Sequence, residues 1–147
     1  MTKKLWGGRF DKNTDPRFEK FSASFQWDIR LLPYDLKIDA AHVHALKKCG
    51  VLSAAESKKL LLAIRQTEKR YQNGSLRLKK NSEDVHSALH AELERLAGSL
   101  SDKLHTGRSR NDLVSQSSRL YCKDHAERLI FLVTEFQKSI VNKAEEY

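Results

Sequence analysis

From Asp112 to Tyr147 the chain contains neither glycine nor proline. The two residues that most readily end a helix are missing from the whole stretch. The reading is one helix of about 35 residues, roughly 50 Å long at the standard rise, well past the usual globular length. Leu129, Leu132, Val133, Phe136 and Ile140 form one stripe along it, while Ile130 and Phe131 point elsewhere. A helix that is apolar on more than one face belongs inside a bundle. The preceding 110 residues are too few, and too committed to helices of their own, to wrap it. The chain is therefore expected to oligomerise through this helix or to be the front part of something longer. Lys143 to Tyr147 carries no capping signal, which favours a truncated chain.

The rest of the sequence also reads as helix. Residues 1 to about 33 are punctuated by Gly7-Gly8, Asn13 to Pro16 and Pro33, which suggests a loop-rich arm with one short helix near Arg17 to Phe21. From Tyr34 to Lys48, Leu36, Ala40, Val43 and Lys47 recur at helical spacing, with Leu46 beside them. Gly50 suits the left-handed position after that helix. Ser53-Ala-Ala-Glu56 is a capping box. It opens a helix to about Gln72 that buries Leu60, Leu61 and Ile64 and ends at Asn73-Gly74. A third helix begins near Ser82 or Glu83, shows Val85, Leu89, Leu93 and Leu96 on one face, and closes at Gly98. No segment alternates as a strand does. The fold class is all-α.

Charge and cysteines narrow the function classes. The net charge is +8, but it is spread as +4 over residues 1–50, +5 over 51–110 and −1 over 111–147. Acids are interleaved throughout, and the basic runs are short, Lys79-Lys80 and Arg108/Arg110 among them. This is a solvated basic surface with a local anion site, and not the stripe a nucleic-acid binder presents. Cys49 and Cys122 lie far apart with no metal spacing, which fits reduced thiols in a cytoplasmic protein. MTKKLWGGRF lacks the apolar core of a signal peptide, and no apolar run approaches the roughly 20 residues that span a bilayer.

The local anion site is HTGRSRND, residues 105–112, which contains no apolar residue. It precedes the long helix, with Asn111 or Asp112 as the expected N-cap. A helix start offers N–H groups and partial positive charge. Arg108 and Arg110 add forked donors that fit carboxylates. Thr106, Ser109 and Asn111 add neutral donors, and Gly107 permits close approach of the backbone. A small polycarboxylate or a phosphate suits such a loop, and a solvated basic loop is the bland alternative. In Glu83-Asp84-Val85-His86, His86 could act as acid, base or donor. His86 and His90 are four apart, but no third metal ligand is evident. His42 and His44 suit surface or core roles. In WGGRF, Trp6 and Phe10 could pin the arm to a neighbour while Arg9 reaches an anion.

LWGGRF (5–10), FSASFQWDIRL (21–31), EDVH (83–86) and KLHTGRSRND (103–112) together resemble the argininosuccinate lyases of the fumarase/aspartase superfamily, with their delta-crystallin relatives. The resemblance runs along the whole chain in the family's order, and HTGRSRND is its most specific part. It implies an N-terminal helical domain over residues 1–111, with an extended arm, followed over 112–147 by the first long helix of a central bundle. It implies a step of arginine biosynthesis, the reversible anti-elimination that cleaves argininosuccinate to arginine and fumarate. A base removes a proton beside a carboxylate, a carbanion with aci-carboxylate character forms, and the guanidinium nitrogen leaves; clamps on the carboxylates stabilise the shifting charge. No cofactor is implied. By motif, Ser24 and Asp28 match the substrate-contacting pair of FxxSxxxD, Asp84 and His86 match Asp-x-His, and Ser109, Arg110 and Asn111 match Ser-Arg-Asn. Thr106 and Arg108 join them as loop contacts, with His86 as an auxiliary group. Family members are longer. Their Thr-His motif and the mobile GSSxMPxKxN loop with the catalytic serine have no counterpart in these 147 residues, so the expectation is a chain inactive alone. The family also implies a homotetramer whose active sites draw on three chains. Asp39 stands where the family often has a small residue. A non-catalytic, oligomerising anion-binding chain is the alternative reading.

Overall fold

A computed structural model describes residues 14–78 and 82–147. Trp6, Gly7, Gly8, Arg9, Phe10 and the Lys79-Lys80 pair lie outside the described residues, as do residues 1–13 of the expected arm as a whole. Among the described residues there is no strand. The helices are α1 (Pro16–Ser22), α2 (Phe25–Asp28), α3 (Leu32–Lys48), α4 (Ala54–Gln72), α5 (Val85–Ala97) and α6 (Arg110–Glu146), with 3₁₀ turns over Ile29–Leu31 and Gly98–His105.

The short helix expected near Arg17 to Phe21 is α1, and the loop-rich reading up to Pro33 is corrected from Phe25 onward, where α2, a 3₁₀ turn and the start of α3 follow. Asp15 accepts from the Arg17 N–H at 2.8 Å and Pro16 follows it, so α1 starts on a cap and not on apolar periodicity. Pro33 lies in the first turn of α3, where a missing N–H breaks no helical bond. Phe18 and Phe21 remain exposed.

Three helices make the core. Leu32, Leu36, Val43 and Leu46 of α3 pack with Leu60, Ala63 and Ile64 of α4 and with Val85, Leu89 and Leu93 of α5. Leu61 and Leu96 are half-buried at its margin, and Lys47 is exposed, its expected inward place taken by Leu46. The connections are set locally. Gly50 has φ +76, the Val51 N–H bonds to the Leu46 carbonyl at 2.9 Å, and the Gly50 N–H bonds to that of Lys47 at 3.1 Å. This is the paired closure of a left-handed helix end. The third helix starts later than its periodicity suggests, at Val85, because Asp84 caps it.

α6 is held at one end. Leu113 and Ser117 are buried, the Ser117 hydroxyl reaches the Leu31 carbonyl at 3.4 Å, and the Tyr121 ring meets Tyr34 edge-on at 5.9 Å. Burial raises the Tyr34 phenol above its ordinary pKa, and nearby Asp124 adds to the effect. Past Tyr121 the helix leaves the core, and its seven stripe and flank residues, Leu129 to Val133, Phe136 and Ile140, are 47–67% exposed.

The α4 capping box is complete: the Ser53 N–H donates to Glu56 Oε2 at 2.8 Å, and the Glu56 N–H donates to Ser53 Oγ at 3.2 Å. Lys103, in the second 3₁₀ turn, donates to Glu56 Oε1 at 2.6 Å and ties that turn to α4. The Lys103 bond, then the Ser53 N–H, hold the Glu56 carboxyl down at about 2, against an ordinary 4.5. A carboxyl with a lowered folded pKa stabilises above its unfolded value and loses that contribution as pH falls through the folded one. The stability gap between wild type and Glu56→Gln should be constant above pH about 5 and shrink between 4.5 and about 2. Urea midpoints across that range measure it, and a gap independent of pH would contradict the assignment.

Candidate functional site

The head of α5 is where distant parts of the chain meet. Asp84 is extended, with φ −152°, and its Oδ1 accepts from the Ser87 N–H at 2.8 Å. A second carboxylate reaches the same helix end from α2. Asp28 Oδ1 accepts from the Val85 N–H at 3.0 Å, and Asp28 Oδ2 accepts from the Ser24 hydroxyl at 2.6 Å. The Ser24 N–H in turn donates to the Glu83 carbonyl at 2.8 Å. Ser24 and Asp28 share one face of a single turn, so their four-residue spacing serves one contact. Two carboxylates on one helix start suit its unpaired N–H groups and partial positive charge.

The 105–112 loop brings a cation to this corner. Arg110, the first residue of α6, pairs through Nη2 with Asp84 and donates to Ser87 Oγ at 3.2 Å. Its Nε and Nη1 hold no protein acceptor among the described residues. The N-cap of α6 is Ser109, in place of the expected Asn111 or Asp112. Ser109 is extended, its Oγ accepts from the Asn111 N–H at 2.9 Å, and its own N–H donates to Asp112 Oδ2 at 2.8 Å. This reciprocal box occupies donors that an anion was expected to use. Arg110 is left as the principal cation of the corner.

Arg108, expected to offer its donors to a ligand, is turned inward. The loop does bury one residue: Arg108 Nη2 donates to Asp39 Oδ1 at 2.8 Å, with side chains only 9% and 5% exposed. Gly107 has φ +66, a conformation that favours glycine, and a Cβ there would meet no protein atom within 4 Å. Thr106 is exposed, and its carbonyl accepts from His42 Nε2 at 3.0 Å.

His86 lies beneath the corner. Its Nδ1 donates to Asp35 Oδ2 at 2.6 Å, with both side chains buried, and Asp35 Oδ1 has no hydrogen-bond partner. His86 and His90 do not converge. His90 Nε2 lies 3.3 Å from Asp102, and its ring centroid is 4.7 Å from that of His105. Desolvation lowers the His105 pKa, with smaller contributions from His90 and Arg108. No group of three His, Cys, Asp or Glu side chains among the described residues is arranged to hold a metal. Asp35, Asp39 and His42, absent from the sequence reading as site residues, form the α3 side of this assembly. Their spacing of four and three places them on one helical face, the one signal that could have marked them.

Residues 8–147 match the family described as lyase. The chain belongs to the lyase family. Relatives of this lyase-family chain include the argininosuccinate lyase of Bacillus velezensis, 39% identical over 143 residues, which are 97% of this chain and 31% of that protein. That of Lactococcus lactis is 38% identical over 144 residues, 98% of this chain and 31% of the relative. That of Bacillus subtilis is 39% identical over 143, again 97% and 31%. The chain thus spans about a third of the length of the curated relatives it matches. The all-α lyase fold is seen in the described residues, and none of their helices is long and apolar enough to cross a membrane.

The corner's geometry makes Asp28 a cap delivered from a distant helix. Asp28→Ala should destabilise the lyase-family chain by about 1–2 kcal/mol, the usual worth of a lost cap or charged hydrogen bond. Urea unfolding and exchange of the Val85 amide report it. Unchanged stability and unchanged Val85 protection would show that the contact carries no energy.

Proposed function

We propose that the chain is the N-terminal portion of an argininosuccinate lyase and supplies groups that hold the substrate's charged ends. The reaction is the reversible anti-elimination giving arginine and fumarate. A base takes the proton beside a carboxylate, the electron pair moves onto that carboxylate as an aci-carboxylate, and the C–N bond breaks with the guanidinium leaving. The carrying observation is that Ser24, Asp28, Asp84 and Arg110, from three separate segments, meet at the head of α5 in a chain 39% identical to proteins of that name. Ser109, Asn111 and Thr106 flank the corner at the surface, and His86 supports it from below. Arg108, paired with Asp39 and buried, holds the loop and does not itself meet the substrate. These 147 residues include no counterpart of the serine-bearing loop, so the chain alone produces no fumarate.

Residues 1–111 then form an N-terminal helical domain, and α6 enters a bundle. The seven exposed residues of its stripe and flank, fully buried, would each gain about 1.5–3 kcal/mol. About half of that surface is still exposed on the lone helix, so roughly 5–10 kcal/mol is available from covering it. Copies of the same helix are the natural partner, giving dimers or tetramers.

Activity is tested in a chimera in which this chain replaces the matched region of the Bacillus subtilis relative. The chimera should release fumarate from argininosuccinate, and Arg110→Ala should lose about 2–4 kcal/mol of transition-state stabilisation, the worth of a charge-assisted contact left partly unpaired. Wild-type kinetics in the variant would remove Arg110 from the site. Assembly is tested by sedimentation at micromolar concentration, where the chain should be dimeric or tetrameric and Phe136→Asp should shift it to monomer. A monomeric wild-type chain with α6 fully ordered would refute self-assembly.

A further inference from the structure

Between the buried Leu104 and Leu113 the chain has no apolar side chain with which to fix its path. It nevertheless follows a defined course, anchored twice on α3. His42 Nε2 holds the Thr106 carbonyl at 3.0 Å, and Asp39 Oδ1 holds Arg108 Nη2 at 2.8 Å. The two α3 residues are three apart, on one face. Gly107 turns between the anchors with φ +66. Arg110 follows two residues after Arg108 and reaches the head of α5 at Asp84 and Ser87.

We propose that Asp39 is a positioning residue for the site: acting through Arg108, it sets where Ser109, Arg110 and Asn111 stand relative to Asp84 and Ser87. The energetics favour a positional role. A charge pair removed from water pays a desolvation penalty that its mutual attraction often fails to exceed. Here burial raises the Asp39 carboxyl above its ordinary pKa even though Arg108 pulls it down, and Asp35, one turn earlier, adds to the rise. Arg108 Nη1 is buried without a partner, a further cost. A pair of this kind adds little net stability. What it does supply is direction: a carboxylate fixed on a core helix gives the guanidinium one place to sit. The significance for substrate rests on the function proposed above, whereas the anchoring can be tested without it.

The experiment is site-resolved amide exchange by NMR on the full 147-residue chain, as wild type, Asp39→Asn, and the double variant Asp39→Leu/Arg108→Met. The double variant removes both buried charges together, so it folds even where Asp39→Asn, which strands the Arg108 charge, does not. In the double variant the amides of residues 106–111 should exchange at least about tenfold faster, with α3, α4 and α5 protected as in wild type. Loop protection equal to wild type in that folded variant would overturn the proposal, as would a uniform rise across all helices. Fumarate is titrated in parallel to check the site reading. Fumarate-dependent shifts at Ser109–Asn111 in wild type, weakened in the double variant, extend the anchoring to ligand binding. Their absence in wild type would count against the proposed function and leave the exchange result to decide the role of Asp39.

Discussion

Two carboxylates buried on α3 govern how the remaining polar parts of the protein are arranged. Asp35 and Asp39 face inward on a helix whose neighbouring positions, Leu32, Leu36 and Val43, make the core. A buried carboxylate needs a donor, and each recruits one from far along the chain: His86 from α5 for Asp35, and Arg108 from the loop before α6 for Asp39. Apolar packing alone would bring α3 and α5 together without fixing their rotation or the path of the loop, because it has no direction. The two polar contacts, with His42 and the Thr106 carbonyl beside them, set both.

The same logic repeats at the head of α5 in a less buried form. Asp84 and Asp28 both take N–H groups of one helix start, so α2 is tied to residues 83–85 across 57 positions of sequence. Ser24 orients Asp28, and Arg110 closes on Asp84 from the other side. Arg110 is therefore presented already in contact with a carboxylate, through one of its amino groups. An anion arriving there meets a cation already paired with Asp84, with Asp28 on the same helix start. On the function proposed above, argininosuccinate, which carries carboxylates together with a guanidinium, would offer a partner to both signs.

What could be read from the sequence was what is written locally. The Ser53/Glu56 box, the left-handed Gly50 and the closing Gly74 and Gly98 depend on residues within a few positions, and each stands where its chemistry places it. The start of α3 was misplaced because Pro33 reads as a breaker until the helix is known to begin one residue earlier. The cap of α6 was misassigned although Ser109 and Asp112 have box spacing, since Asn and Asp are equally good caps in isolation. The motifs marked Ser24, Asp28, Asp84 and Arg110, and the fold brings them together. Neither spacing nor composition could show that Arg108 turns inward. That depends on Asp39, 69 residues away, and on a carboxylate whose burial is settled only once three helices have packed.

α6 shows the opposite balance, a helix defined by sequence over 37 residues and by tertiary contact over only its first third. Its start is determined several times over: a capping box, two buried side chains, and the Tyr34–Tyr121 ring contact. Its remainder has helix propensity and little else, which in water is marginal for a segment so rich in exposed apolar surface. The uncovered residues are not scattered, as ordinary surface leucines are. They concentrate between Leu129 and Val141, on more than one face of the helix. A single flat partner would cover one stripe and leave Ile130 and Phe131 in water. Covering them all would take at least two neighbouring helices, which favours the tetrameric form of the assembly proposed above over the dimeric one.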